Sequence, residues 1–264
     1  MTTIDDRISS SDLTLFDHVE SQTTAADRLS LLALQAACRE RHAEYVYLEI
    51  GSYLGGSLQP HVIDPRCKLI ISIDPRPQAS PDERGYPSGY SGNSTEGMLR
   101  NLAGIPGAQL EKVHTIEAST SEVSPEDIPA RPNLCFIDAE HTDDAALRDA
   151  RFCLSVMDGE GCIAFHDSQI LYKALNAFVR ELEESGIDFQ PYVLPLAIFA
   201  IELGEPDLLH STHIRKALLN SYSAYLWALN SNDRHWARVR NRLAEQLARR
   251  AEAEARRAEA EARD

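Results

Sequence analysis

Four segments carry side chains whose types and spacing suit chemistry. Two of them, Phe136-Ile137-Asp138-Ala139-Glu140-His141 and Phe165-His166-Asp167-Ser168, are apolar runs that end in carboxylates and imidazoles. Carboxylates brought into one cleft repel each other unless a cation lies between them. Oxygen ligands of that kind suit Mg2+, which keeps several of its waters. A third segment, Tyr47-Leu48-Glu49-Ile50-Gly51-Ser52-Tyr53-Leu54-Gly55-Gly56-Ser57, runs from an apolar stretch ending in an acid straight into glycines. Such a turn lets backbone approach a ligand closely. Tyr53 stands where the G-x-G-x-x-G pattern has its middle glycine, and its bulk obstructs a pyrophosphate, so a ligand without one fits better. The fourth segment, Ile73-Asp74, follows the turn by about twenty residues, where a carboxylate accepts hydrogen bonds from both hydroxyls of a ribose. Asp74 alone does not separate a nicotinamide cofactor from another nucleoside.

Strand ends must be gathered at one edge for these groups to meet. The runs at 45–50, 68–74, 112–118, 134–138 and 161–167 are short and apolar, as the buried strands of a parallel sheet are. Helical stretches near 94–103 and 142–156 fall between them, and another at about 169–185 follows. Strands alternating with helices predict an α/β sheet wound on both faces. The runs 189–195 and 197–204 have almost nothing between them, whereas a parallel crossover takes about a dozen residues, so these two are antiparallel. The expectation is a mostly parallel seven-stranded sheet that closes with an antiparallel hairpin, over residues 45–204.

Two flanking zones differ in composition. Residues 1–44 are polar, then helical, with Leu29, Leu32 and Ala36 at helical spacing behind a Thr23-Thr24 cap signal. Residues 205–264 form a helical extension, with one helix over about 207–230 and a second from about Asp233 onward. The second ends in Ala-Arg-Arg-Ala-Glu-Ala-Glu at 248–254, repeated at 255–261. Two readings stay open for it. One is a solvated single helix held by the pairs Glu252–Arg256 and Glu259–Arg263. The other is a short coiled coil with Ala248, Ala251, Ala255, Ala258 and Ala262 on its seam, which makes the C-terminal helices a candidate homo-oligomer contact. Residues 75–97 are rich in turn formers and read as a lid, where Tyr86 and Tyr90 either stack on a sugar or aromatic ring or pack the loop.

The motif E-I-G-x-Y-x-G-x-S at 49–57 resembles the first motif of class I S-adenosylmethionine-dependent methyltransferases of the metal-dependent catechol and caffeoyl-CoA O-methyltransferase type. The resemblance covers about 28–204, and that family's sheet closes with the same hairpin. It implies that Glu49, Gly51, Ser52 and Ser57 embrace the methionine part of the cofactor, that Asp74 takes the ribose and that Ser119 meets the adenine. Asp138 falls at both the cofactor and the metal. Position for position, the implied metal ligands are Asp138, His166 and Asp167, with His166 where the family has an aspartate. That imidazole softens the site toward Mn2+, Fe2+ or Zn2+. His141 replaces the lysine that serves the family as base; its ordinary pKa of about 6.5 lets it accept a proton near neutrality. The cation would lower the pKa of a bound hydroxyl and His141 would remove the proton. I-D-A-E-H with H-D after the next strand looks more like methyltransferases of sugar and natural-product pathways, including cephalosporin hydroxylase and macrolide-sugar relatives. The implied acceptor is therefore a hydroxyl of a sugar, glycan or specialised metabolite.

Charge and composition narrow the partners. The chain has 264 residues, 26 basic against 41 acidic, for a net charge of -15, which disfavours nucleic acid and anionic membranes. No apolar run approaches the ~18–20 residues of a membrane span. The first residues lack the basic and apolar regions of a secretory leader, so the expected address is the cytoplasm. Cys38, Cys67, Cys135, Cys153 and Cys162 form no CxxC pair and read as buried free thiols. Three other functions remain at this stage: a nicotinamide-dependent oxidoreductase, a metal-dependent oxygenase-like relative, and a non-catalytic assembly protein that uses its C-terminal helix.

Overall fold

The computed structural model describes residues 2–85, 87–157, 159–196, 198–205, 207–219 and 221–261. Its strands are β1 (Tyr45–Ile50), β2 (Cys67–Ile73), the two-residue β3 (Ala79–Ser80) and β4 (Ser88–Gly89), β5 (Val113–Ile116), β6 (Leu134–Ile137), β7 (Gly161–Phe165), β8 (Phe189–Val193) and β9 (Phe199–Leu203). Seven of them form one sheet in the order β5-β2-β1-β6-β7-β9-β8, while β3 and β4 pair with each other. The pairs β1–β2, β1–β6, β2–β5 and β6–β7 are parallel, and β9 runs antiparallel to both β7 and β8. The predicted architecture is therefore present, including the closing hairpin. The β3–β4 pair is an addition inside the predicted lid, too short and too polar to announce itself.

Every residue of β6 and β7 is buried, which explains why these strands read as unbroken apolar runs. Successive side chains go to opposite faces. Leu134 and Phe136 join a core with Ile8 of the short α1 (Ile4–Ser9), with helix α2 (Ala25–Arg41), with Val62 of the short α3 (Gln59–Val62), and with Met98 and Leu102 of α4 (Thr95–Ala103). Cys135 and Ile137 join the other core, with α5 (Asp143–Val156) and α6 (Tyr172–Glu184). All five cysteines are buried free thiols, as expected.

The helix predicted behind Thr23-Thr24 is α2. Thr24 caps it by accepting from the Asp27 amide while Asp27 answers to the Thr24 backbone. Its apolar face differs from the one the spacing suggested: Leu29 is 42% exposed, and Leu31 to Cys38 are buried nearly all round. The C-terminal zone also differs. The Glu202 carboxylate accepts from the amides of Leu208 and Leu209, which holds 207–210 as a turn. Helix α7 (Thr212–Leu218) then starts at a Ser211 cap, and α8 runs unbroken from Ser221 to Glu261, because Asn232 and Asp233 are weak helix formers and not breakers. The Glu252–Arg256 pair is in place at 3.6 Å, while Arg263 of the second pair lies outside the described residues, as does Ala262. None of the described helices is long and apolar enough to cross a membrane.

Beneath the turn after β1 lies a fully buried carboxyl. Glu49 accepts hydrogen bonds of 2.6 Å from both the Tyr47 and Ser57 hydroxyls. Burial raises its pKa from 4.5 to about 8 against the pull of those two donors. An acid whose pKa is raised on folding contributes stability that is complete below its unfolded pKa and is lost as pH climbs through the folded value. We therefore expect wild-type stability to carry a Glu49 component that declines between about pH 4.5 and 8, with a slope of at most about 1.4 kcal/mol per pH unit. Denaturant unfolding of Glu49→Gln across that window should lack this decline; parallel curves for the two proteins would show that Glu49 titrates normally.

Candidate active site

The glycine turn and the end of β6 are pressed together. Gly51 has φ +91°, and a Cβ there would lie 2.2 Å from the Asp138 carbonyl oxygen and 2.6 Å from Ala139 Cα. Only glycine meets both demands. On the outer side of the turn, a Cβ at Gly56 would strike Ser21, so the segment before α2 also closes on it. Gln59 fixes that closure: its amide nitrogen donates to Phe16, Val19 and Gly56 carbonyls, and its oxygen accepts from the His18 and Val19 amides.

Between the ends of β1, β2, β5 and β6 lies a cavity of about 230 Å3, whose wall includes Gly51, Asp74, Ser119 and Asp138. A smaller cleft beside it, about 30 Å3, is lined by Gly51, Ser52, Ser57 and Asp138. All the expected cofactor residues except Glu49 thus face one of two adjoining spaces. Glu49 has no exposed surface and reaches the turn only through Ser57. Asp74 accepts from the Tyr53 and Arg76 amides at 2.9 and 2.8 Å and from the Arg76 guanidinium at 3.2 Å. That uses three of its roughly four acceptor positions, so a ribose finds one there, not the two the strand-end pattern suggests, unless the guanidinium yields.

The same cavity is lined by residues that no motif marked: Thr120, Arg148 and Asp149. Asp149 sits on a helix, 1% exposed, and bonds the Thr120 hydroxyl with one oxygen. Its other oxygen is buried without a partner. Burial raises its pKa against the Thr120 and Arg148 contacts. A cavity wall with an unpartnered acceptor beside Ser119 and Thr120 suits a ligand that brings an N–H group, as adenine does. The signal was out of reach of a motif search because α5 and β5 meet only in the fold.

The predicted reacting groups converge. Asp138 Oδ1 is 3.2 Å from His166 Nδ1 and 3.8 Å from His141 Nε2. Asp167 Oδ2 is 3.1 Å from His141 Nε2 and 3.4 Å from His166 Nδ1. Burial alone would lower the His141 pKa, but Asp138, Asp82 and Asp167 outweigh it and raise it to about 9. His166 is likewise held well above its ordinary value by Asp138 and Asp167. Burial opposes ionisation of Asp138, and the two imidazoles overcome it and hold that carboxyl at about 2. Asp167 is pulled down in the same way by His166, His141 and Arg84.

One atom each from Asp138, His141 and Asp167 falls within 4.8 Å of the others, a grouping able to hold a metal ion. His141 Nε2 is buried and lacks a hydrogen-bond partner. Two carboxylate oxygens and an imidazole nitrogen form a donor set that fits a divalent cation. The grouping joins the expected ligands Asp138 and Asp167 with the expected base His141; His166, the third expected ligand, is not in it and lies with Nδ1 3.2 Å from Asp138 Oδ1 and 3.4 Å from Asp167 Oδ2.

The lid reaches this cluster from outside. Asp82 and His141 form a β-bridge, and the Glu83 amide donates to the His141 carbonyl at 2.8 Å. Asp82 Oδ2 lies 3.4 Å from His141 Nδ1, with Ser88 Oγ 3.2 Å from the same nitrogen. Arg84 in turn grips both Asp82 oxygens. Tyr90 is buried, sits edge-on to Tyr53 with ring centroids 5.4 Å apart, and borders both cavities. Tyr86 lies outside the described residues.

Residues 48–168 match the family model of a methyltransferase domain. No curated protein matches the sequence. Among solved structures, the O-methyltransferase NovP is 14% identical, with 69% of this chain and 82% of that one covered at a TM-score of 0.53. The O-methyltransferase TomG from Streptomyces achromogenes, in complex with S-adenosylmethionine, is 15% identical over 77% of this chain and 90% of that one, TM-score 0.48. A putative caffeoyl-CoA O-methyltransferase from Staphylococcus aureus is 16% identical over 78% and 93%, also at 0.48. Of the three, the NovP likeness bears on the fold and agrees with the sheet order found here. Residues 48–168 thus match a methyltransferase-domain model, and the sheet order is that of a Rossmann-like methyltransferase fold.

Proposed function

We propose that residues 45–204 transfer a methyl group from S-adenosylmethionine to a hydroxyl oxygen of a sugar or specialised metabolite, with a divalent cation held by Asp138, Asp167 and His166. The observation that carries this reading is the convergence of two carboxylates and two histidines beside the nucleoside-sized cavity. When bound, S-adenosylmethionine supplies a methyl group with its own leaving group, and the cation supplies positive charge that eases loss of the acceptor's proton.

The chain's part is to bind, align and deprotonate. Ser52, Ser57 and the Gly51 backbone line the small cleft and suit the polar amino-acid end of the cofactor. Asp74 offers an acceptor to the ribose, and Asp149 with Ser119 and Thr120 offers acceptors to the adenine end. Tyr90 and Tyr53 close the space against water. Asp82 sits at Nδ1 of His141 and so points Nε2 toward Asp138 and Asp167. In its neutral form His141 would take the acceptor's proton at Nε2, the nitrogen that faces Asp138 and Asp167.

Two measurements test this. Calorimetric titration should give micromolar binding of S-adenosylmethionine and none of NAD+; Asp74→Ala should weaken it about 10-fold or more, since a charge-assisted hydrogen bond and the hold on the turn are both lost. Binding of NAD+ alone would overturn the cofactor assignment. Mn2+ titration should show one site, weakened at least about 10-fold in each of Asp138→Ala, Asp167→Ala and His166→Ala. Wild-type Mn2+ affinity in all three would remove the metal from the mechanism.

A further inference from the structure

We propose that the groove between α6, the β8–β9 hairpin and α8 receives the acceptor, and that the acceptor is a mainly apolar, ring-sized molecule bearing free hydroxyl groups, not a bare glycan; this rests on the O-methyltransferase reading above. The groove holds about 630 Å3, within the range of about 300–1,000 Å3 common for small-molecule sites. Its apolar wall includes Val179 of α6, Val193 at the end of β8, and Leu196 and Phe199 of the hairpin, all only part-buried. Apolar side chains left part-open around a concave space mark a place where something apolar binds.

Two of the polar side chains in that wall are alike in chemistry. The side-chain oxygens of Gln169 and Asn232 are both buried and both without a hydrogen-bond partner. An amide oxygen accepts only, so its complement is a donor such as O–H, and an ether or a methyl group would leave it unmet. Gln169 also fixes where the ligand lies relative to the chemistry. Its amide nitrogen donates to Asp167 Oδ1 at 3.0 Å, so one side chain spans from the carboxylate cluster to the groove. A ring seated among Val193, Leu196 and Phe199 with a hydroxyl near Gln169 carries that hydroxyl up to the cluster. The backbone supports the assignment: Leu196 holds φ +75°, a left-handed conformation unusual for leucine, at the turn of the hairpin that borders the groove.

The test needs no knowledge of the natural acceptor. Fluorescence titration with 2-naphthol and with its methyl ether, 2-methoxynaphthalene, reads the groove directly, while calorimetry with S-adenosylmethionine reads the cofactor site in the same samples. Wild type should bind 2-naphthol more tightly than the ether, and Gln169→Leu and Asn232→Leu should each erase roughly 3- to 10-fold of that preference. Val179→Trp and Val193→Trp, which fill the groove from two different elements, should weaken both probes about 10-fold or more and leave S-adenosylmethionine affinity unchanged, which also certifies that each variant is folded. Wild type that binds neither probe, or tryptophan variants that bind them as wild type does, would overturn the groove as the acceptor site. Equal affinity for naphthol and ether would overturn the hydroxylated ligand. Loss of S-adenosylmethionine binding in wild type with the groove results intact would sink the methyltransferase reading instead, so the two failures are distinct.

Discussion

Backbone contact between the turn after β1 and the end of β6 sets the geometry of everything at this edge of the sheet. With a Cβ at Gly51 excluded by the Asp138 carbonyl, the two strand ends come as near as backbones can. The approach does three things together. It seats Asp138 in the walls of both cavities, it turns Tyr53 so that its amide reaches Asp74, and it leaves Ser52 and Ser57 on the rim of the small cleft. Glu49 underneath completes the arrangement. Its carboxyl holds the Ser57 hydroxyl from within the core, so a residue with no exposure still shapes the surface of the site.

Because strand ends converge there, so does charge. Asp138, Asp167 and Asp82 are balanced in this structure by His141, His166 and Arg84. The carboxylates around each imidazole raise its pKa, and the imidazoles lower the pKa of the Asp138 and Asp167 carboxyls. Such a cluster is stable only as a whole: taking away one partner leaves a buried charge unpaired, which costs about 3–5 kcal/mol. It is also poised to exchange protons for a cation, since ligands must shed protons to coordinate one.

How much of this was legible in the sequence follows from where each signal resides. Strands buried on both faces announce themselves as apolar runs, and the near-absence of residues between 195 and 197 forced the antiparallel hairpin; both inferences rest on local physics. Asp74, Asp138, His141, His166 and Asp167 were readable because each follows such a run, and parallel strands bring their ends to one edge. Asp149 and Gln169 were not, since their roles arise from elements that meet only after folding. Asp82 was hidden for a related reason. It sits in a loop with no periodic pattern, and its meaning depends on a bridge to His141, 59 positions along the chain. The N-terminal helix shows the converse failure: Leu29 fits the helical spacing and yet faces outward, because α2 is covered on several sides and a single apolar stripe does not describe it.

The two histidines are backed in the same way. Behind His141 stands Asp82, at 3.4 Å from Nδ1, and behind His166 stands Asp27, whose Oδ2 is 3.4 Å from Nε2. A carboxylate on the far nitrogen fixes the orientation of an imidazole and makes it a better donor toward whatever lies in front. Asp82 arrives on the lid, whereas Asp27 belongs to the first turn of α2, where the same Oδ2 accepts from the Thr24 amide and hydroxyl at 2.9 and 2.7 Å. The group that starts the helix is thus the group that steadies His166. Because Gln59 ties the segment just before α2 to the glycine turn, the start of that helix is anchored to the cavity wall on one side and to the carboxylate cluster on the other. Residues that precede the matched segment 48–168 in sequence are, by these contacts, part of the candidate site.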